Sequence, residues 1–174
     1  PIFTFINKMD REARDPFELC EELEKELGLE TYPVNWPIGC GKEFKGVYDR
    51  DKKAIIHFTG HGGAKMATAT EVELDDPNLD DLIGAKLHQQ LSDDIELLDG
   101  AAAEFDLERV RHGKLSPVFF GSALTNFGVE PFLEEFLRMT TAPLPRTAGE
   151  LVVDCMDDDF SAFVFKIQAN MNKA

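Results

Sequence analysis

Two short stretches hold residue types that can do chemistry together. Asn7-Lys8-Met9-Asp10 sets an amide, an ammonium and a carboxylate within four positions, directly after the apolar-leaning run Phe3-Thr4-Phe5-Ile6. Much further along, Ser122-Ala123-Leu124 follows a second apolar run, Val118-Phe119-Phe120-Gly121. Each reads as the polar end of a buried strand, and in open α/β sheets ligands sit outside the carboxyl ends of the strands. A carboxylate fixed there can accept two hydrogen bonds, from the N1–H and the N2 amine of guanine. Adenine has neither donor and would leave the charge unpaired. Charge-assisted bonds contribute about 1.5–3 kcal/mol each, and a stranded buried acceptor costs about as much again. Asp10 could therefore separate the two purines by on the order of 10⁴-fold, as sites built around one polar edge do.

In this arrangement the Lys8 stem lies flat on the base with its ammonium outward, and Asn7 bridges the base edge and the neighbouring loops. A tight turn at 122–124 presents the Ala123 amide to guanine O6, while the Ser122 hydroxyl braces the Asp10 carboxylate. The tetrapeptide alone is a weak signal, since it equally suits a polar strand end running into a helix cap. Both halves, in this order at the ends of two parallel strands, form a far more specific one.

The elements that must position these residues are legible nearby. Residues 2–6 form a near-continuous apolar strand of the kind parallel sheets bury on both faces. Asp15-Pro16-Phe17-Glu18 then predicts a helix start, with Asp15 as N-cap and Pro16 at the first position. Leu19, Leu23 and Leu27 recur at four-residue spacing beside Phe17 and Cys20, and Gly28 supplies the stop. From Pro33 to about Thr70, short runs broken by Gly, Pro and Asp predict an antiparallel meander. "DDPNLDDLIG" reads as a capped turn or short helix. Leu87, Leu91, Ile95 and Leu98 mark the buried stripe of a longer helix ending near Gly100, and residues 104–112 give one more short helix. "SPVFFGSA" returns to the buried parallel style. Val129, Phe132, Leu133, Phe136 and Leu137 predict an amphipathic helix with Pro131 tolerated in its first turn. Residues 140–150 read as a linker. Beyond it, "FVFKIQA" (163–169) alternates Phe163, Phe165, Ile167 and Ala169 inward, as a half-exposed strand of another sheet.

The 174 residues carry 43% hydrophobic side chains, enough for a core, and a net charge of −15. That charge argues against direct gripping of nucleic acid, which needs Lys and Arg in excess, and favours solubility or a basic protein partner. The three cysteines, Cys20, Cys40 and Cys155, are odd in number and never in CxxC spacing, so they read as small buried residues of a reducing compartment. No apolar run reaches membrane-spanning length and no signal peptide is visible. A soluble, cytoplasmic protein without a membrane role is the expectation.

With both loops in hand, the chain resembles the translational GTPases, of which Asn7–Asp10 and Ser122–Leu124 would be the fourth and fifth nucleotide-binding motifs. "PVNWPIGCGKEFKGVYD" is similar to the start of the inserted subdomain shared with elongation factor G. "FINKMDREARDPFEL", "WPIG", "FFGSALTNFGV", "APLPR" and "FVFKIQANM" look closer to the bacterial peptide chain release factors of the GTPase class, the release factor three family. "FKIQANM" is less like elongation factor G, which stays as one alternative; the other is a non-catalytic module whose insertion docks on a ribosomal protein. The resemblance implies binding of GTP and GDP on the ribosome and dissociation of codon-reading release factors after peptide release. It implies an inserted subdomain facing the large-subunit stalk proteins, and guanine-binding roles for Asn7, Lys8, Asp10, Ser122, Ala123 and Leu124. The implied fold is α/β: the C-terminal part of a P-loop-type GTPase domain, mainly parallel sheet with helices, at 1–32 and 114–142. An inserted α+β subdomain would occupy 33–113, a linker 143–159, and the first strand of a β-barrel domain 160–174.

One departure shapes the functional expectation. Nothing in the chain fits G-x-x-x-x-G-K-[ST]; "GCGK" (39–42) and "GHGG" (60–63) lack the spacing and the strand-to-helix context. The switch residues that would order Mg²⁺ and the attacking water are missing too. The chain is therefore expected to be an internal piece of a longer GTPase, with the base-reading half, no catalytic residue of its own and no hydrolysis by itself. Its strands at 2–6 and 118–120 would then lack their usual cover, so self-association is expected.

Other constellations lead nowhere specific. His57 and His61 have a metal-ligand spacing only if helical, and "HFTGHGG" is not. His88 and His112 show no carboxylate or cysteine partner and read as surface residues. Ser122 lacks the second glycine of a G-x-S-x-G elbow. The aspartate pairs at 75–76, 80–81 and 93–94 and the "DDDF" run at 157–160 lack a calcium loop and read as caps or solvated faces. Phe119 and Phe120 read as core. Trp36 is better placed for packing at the edge of the insert than for binding a partner.

Overall fold

The structure, a computed structural model, describes residues 1–59, 68–101 and 104–167. It divides into two compact units, Pro1–Thr140 and Thr141–Ala174.

In the first unit, strand β1 (Thr4–Ile6) leads through the Asn7–Asp10 loop into helix α1 (Pro16–Leu27). The Asp15 carboxylate accepts the Phe17 and Glu18 amides at 2.8 and 3.3 Å, Pro16 opens the helix, and Gly28 closes it at φ 62°. Strand β2 (Glu30–Pro33) follows at once, then β3 (Asn35–Ile38), a single 3₁₀ turn (Gly41–Glu43), β4 (Gly46–Asp49), β5 (Ala54–Thr59) and β6 (Thr68–Glu73). Helices α2 (Leu79–Ile83), α3 (Ala85–Ala101) and α4 (Leu107–Arg111) precede β7 (Leu115–Phe120) and α5 (Val129–Met139).

Two sheets organise this unit. The first is parallel, in the order β1-β7-β2, with β7 buried at every position. The second is the antiparallel meander β3-β4-β5-β6, as the short, turn-punctuated runs predict. Its β4–β5 turn is tied by Asp49, whose Oδ1 accepts the Asp51 and Lys52 amides at 3.0 Å each. Strand β2 has no counterpart in the sequence reading, because "ETYP" abuts the irregular stretch and ends in proline. Pro33 sits at the strand's last position, where its missing N–H costs least, and the Val34 amide carries the pairing on to Val118 O at 2.8 Å.

Trp36 joins the two sheets. It is fully buried, 4.5 Å from the Phe17 ring of α1 and 5.3 Å from Phe120 of β7, and its Nε1–H donates to Asp94 of α3 at 2.9 Å. That fits the packing role expected of it. On the other face, Phe132 of α5 meets Phe5 and Phe119 edge-on at 5.2 and 5.0 Å.

Several expectations need correction. Leu133 and Leu137 are exposed, at 51% and 76%, as is Leu27 at 55%, so the apolar faces of α5 and α1 are only partly covered. Cys155 is exposed, against the expectation that all three cysteines are buried, while Cys20 and Cys40 are buried and half-buried. His88 does have a carboxylate partner: its Nδ1 lies 2.7 Å from Asp80 Oδ1, on the neighbouring helix and eight positions back. His112 Nδ1 lies 2.7 Å from Glu108 O, and His57 is buried in β5.

In the second unit, residues read as linker form a small antiparallel hairpin, β8 (Arg146–Ala148) with β9 (Leu151–Val153). Residues 161–167 form no strand, and Phe163, Phe165 and Ile167 are 71–91% exposed. An alternating pattern does not make a strand by itself: among the described residues no strand pairs with 161–167, and its apolar side chains are exposed rather than buried on a face. Residues 168–174, 102–103 and 60–67, which include His61 and the "GHGG" stretch, lie outside the described residues. Among the described residues no helix is long and apolar enough to cross a membrane, and no group of three or more His, Cys, Asp or Glu side chains is placed to hold a metal ion.

Candidate functional site

Strands β1 and β7 are hydrogen-bonded neighbours in parallel register, with Ile6 opposite Phe120. Asn7 and Gly121 therefore leave the sheet at the same level and at the same end. The Gly121 N–H donates to Ile6 O at 3.0 Å, and the Met9 N–H returns to Gly121 O at 3.1 Å, so the pairing continues past the strands into the loops.

From this platform the two motifs touch. The Ser122 hydroxyl donates to Asp10 Oδ1 at 2.6 Å, a charge-assisted O–H···O⁻ length. Ser122 is fully buried while Asp10 is half-buried, so one end of the carboxylate is anchored inside the protein. The Asn7 side-chain oxygen accepts two backbone amides, from Lys8 at 2.7 Å and from Ala123 at 2.9 Å. Asn7 thus fastens the second loop to the first. Lys8 adopts φ 70°, a left-handed conformation uncommon for a lysine and concentrated at functional loops. The Arg11 N–H closes the turn on Lys8 O at 3.0 Å.

The second loop is closed by Ser122 and Phe127, which exchange both backbone hydrogen bonds at 2.8 and 3.0 Å. Thr125 Oγ1 adds a longer bond to Ser122 O at 3.3 Å. Gly121 is sterically required here, since a Cβ would sit 2.5 Å from Phe127 O and 2.8 Å from the Phe5 ring.

Of the six residues singled out from sequence, Asn7, Asp10, Ser122 and Ala123 are joined directly, and Lys8 through its amide. Leu124 is 73% exposed at the tip of its loop. The Ser122 brace on Asp10 is present, and Asn7 bridges the two loops. The Ala123 amide differs from expectation: in this geometry its N–H is donated to Asn7, the nearest strong acceptor, rather than left open.

Sequence reasoning missed three supports. Asn35, buried at the start of β3, accepts the Phe120 N–H at 2.7 Å and donates to Phe120 O at 3.2 Å. Its carboxamide substitutes for a strand residue beside the last position of β7. Met9, the variable position of its motif, is buried and receives the Gly41 N–H on its carbonyl at 2.8 Å. Phe127 packs its ring on Phe58 at 4.8 Å. No local signal around Asn35 marks this role, because its partner groups belong to Phe120, 85 positions away.

Comparison with known proteins agrees with the architecture. The family model described as "Elongation factor Tu GTP binding domain" matches residues 1–142. Peptide chain release factor 3 from Symbiobacterium thermophilum is 54% identical over 100% of this chain and 33% of that protein. Those from a Cyanothece species and from Trichormus variabilis are 52% and 53% identical, each over 99% of the chain and 32% of the protein. The resemblance to the release factor three family thus holds along the whole chain, which spans about a third of the length of these relatives. A crystal structure of a Thermus thermophilus protein shares the fold, with a TM-score of 0.52 and 23% identity over 80% of this chain and 22% of the other. The family match runs through both loop-bearing strands, and the chain belongs to the family of the elongation factor Tu GTP-binding domain.

Proposed function

We propose that the joined loops read a guanine base, and that the chain supplies this part of a ribosome-dependent GTPase of release-factor-three type. The observation that carries the reading is the Ser122–Asp10 bond at 2.6 Å. With Oδ1 held by a buried hydroxyl, the carboxylate is oriented before any base arrives, so little ordering is left to do on binding. Its remaining acceptor capacity suits the N1–H and N2 amine of guanine. The Lys8 stem covers one face of the base, and Leu124 at its exposed tip offers apolar contact. The Ala123 amide can serve guanine O6 by exchanging one acceptor for another, Asn7 Oδ1 for the base carbonyl, at little net cost.

In this reading GTP and GDP are the ligands. The phosphates, the Mg²⁺ ion and the attacking water are handled outside this chain, which by itself binds no phosphate and does not hydrolyse GTP. The whole protein dissociates codon-reading release factors from the ribosome at termination. Residues 1–32 and 114–142 form the base-reading part of the GTPase domain and 33–113 an inserted subdomain. Exposed Glu71, Glu73, Asp75, Asp80, Asp81 and Asp93 favour a role for this insert in docking a basic ribosomal protein, with the large-subunit stalk as its partner.

The test is Asp10→Asn in a protein of the relatives' full length. An amide offers a donor where xanthine carries a carbonyl in place of guanine's amine. GTP affinity should fall by about tenfold or more, the worth of a charge-assisted bond, while xanthosine triphosphate should gain. Unchanged preference in competition binding would refute the assignment of Asp10.

A further inference from the structure

The loop that carries Asp10 is held from two sides. Met9, between Lys8 and Asp10, is 1% exposed. Its N–H is tied to Gly121 O at 3.1 Å, and its carbonyl accepts the Gly41 N–H at 2.8 Å from the 3₁₀ turn that joins β3 to β4. The second loop leans on the same antiparallel sheet. Phe127, which closes the ring of residues 122–127, stacks on Phe58 of β5 at 4.8 Å and 22°, and lies 6.0 Å from Phe44. Yet this sheet contributes no partner to the Ser122–Asp10 or Asn7–Ala123 bonds.

We infer that Gly41 and Phe58 are positioning residues for base recognition, through which the antiparallel sheet sets the aim of Asp10. This rests on the reading of Asp10 as the guanine-selective carboxylate. The Met9 carbonyl belongs to the peptide unit that leads into Asp10. Releasing it from Gly41 frees that unit to rotate, and the carboxylate turns away from both Ser122 and the base edge. Releasing Phe127 from Phe58 lets the Ser122 end of the second loop drift from the other side. Hydrogen bonds weaken steeply as their angle departs from linear, so a small rotation erodes selectivity before it erodes folding. The turn itself depends on Gly39, at φ 73°, where a Cβ would lie 2.4 Å from Glu43 O.

The experiment compares Gly39→Ala, which deforms the turn carrying the Gly41 amide, with Phe58→Ala, which removes the stacking ring. Val110→Ala serves as control, a fully buried position outside both clusters of packed core residues. In a protein of the relatives' full length, affinities for GDP and inosine diphosphate are measured by competition, with thermal melting in parallel. Inosine diphosphate lacks only the N2 amine offered to Asp10. The GDP-over-IDP ratio should narrow by about tenfold in both sheet variants, on the scale of one misaligned charge-assisted bond. The control should lose stability and keep the ratio. A ratio that stays constant in a sheet variant while its melting temperature falls removes that residue from the positioning role, and constancy in both overturns the inference. Asp10→Asn separates the two levels. A shift toward xanthine there, with unchanged ratios in the sheet variants, defeats only the positioning role; no shift defeats the guanine reading and this inference with it.

Discussion

Ser122 Oγ sits 2.6 Å from Asp10 Oδ1 across 112 positions of chain, and it is the buried partner that donates. Under the proposed guanine reading, the hydroxyl takes the place of water at a carboxylate that has to present fixed lone pairs to the base. Ser122→Ala should therefore leave the fold nearly intact, because the lost atom is small, while Asp10 becomes free to turn toward solvent. Guanine nucleotide affinity should fall by about tenfold, the usual worth of a hydrogen bond to a charged group. Competition binding set against thermal melting checks this. Equal nucleotide affinity in the variant would show that Asp10 does not need the brace.

Asn35 gives the sharpest stability prediction. Its carboxamide satisfies both the N–H and the carbonyl of Phe120 in the buried junction between the sheets. Asn35→Ala leaves both groups without this partner in a place water reaches poorly. Each such group costs about 1–3 kcal/mol, so a loss of about 2–6 kcal/mol in chemical denaturation is expected. A loss near zero would mean that the Phe120 groups find other partners.

What the sequence disclosed and what it hid divide along one line, the distance over which a pattern acts. Asp15, Pro16 and Gly28 announced α1 because caps act over three or four residues. The loops after β1 and β7 were legible because two apolar runs are followed by short stretches of specific composition, Asn-Lys-Met-Asp and Ser-Ala-Leu. Asn35 was not, since its partners belong to Phe120, 85 positions away, and nothing in its neighbours points there. The Gly41–Met9 bond escaped for the same reason, being made by backbone groups that every residue carries. Leu137 misled in the opposite direction: helical spacing says which residues share a face, but not whether anything covers it. At 163–167 the alternation predicted a strand that does not form, because alternating side chains cannot supply a pairing partner and pairing is not a local property.

Asp94 predicts a pH dependence. Burial pushes its carboxyl above the ordinary carboxylate value; the Trp36 N–H works against that shift, and the nearby Asp15 and Asp93 charges reinforce it. A carboxyl whose folded-state value is raised binds its proton more tightly folded than unfolded. The fold is thus favoured by protonation at low pH, loses that advantage as pH climbs from the unfolded value through the raised one, and bears the full penalty above it. Asp94→Asn keeps an acceptor for Trp36 and removes the charge. The variant should melt higher than the parent at neutral pH, and the gap should close as pH falls through the carboxylate range. A gap that is constant with pH would show that the charge at Asp94 carries no cost.

The incompletely covered faces of the first unit bear on its solution behaviour. Among the described residues strand β1 is an edge of the parallel sheet; Ile2, just before it, and Leu133 and Leu137 of α5 are 45%, 51% and 76% exposed. Open strand edges and uncovered apolar side chains are the two features that drive non-covalent association. The 174-residue chain should therefore form dimers or larger species as concentration rises, with mass from light scattering increasing accordingly. Leu133→Glu with Leu137→Lys, which places an i,i+4 charge pair on the same helical face, should shift the chain toward monomer while costing no more than about 1 kcal/mol of stability. A parent chain that stays monomeric across the whole range would show that these faces are too small or too curved to pair.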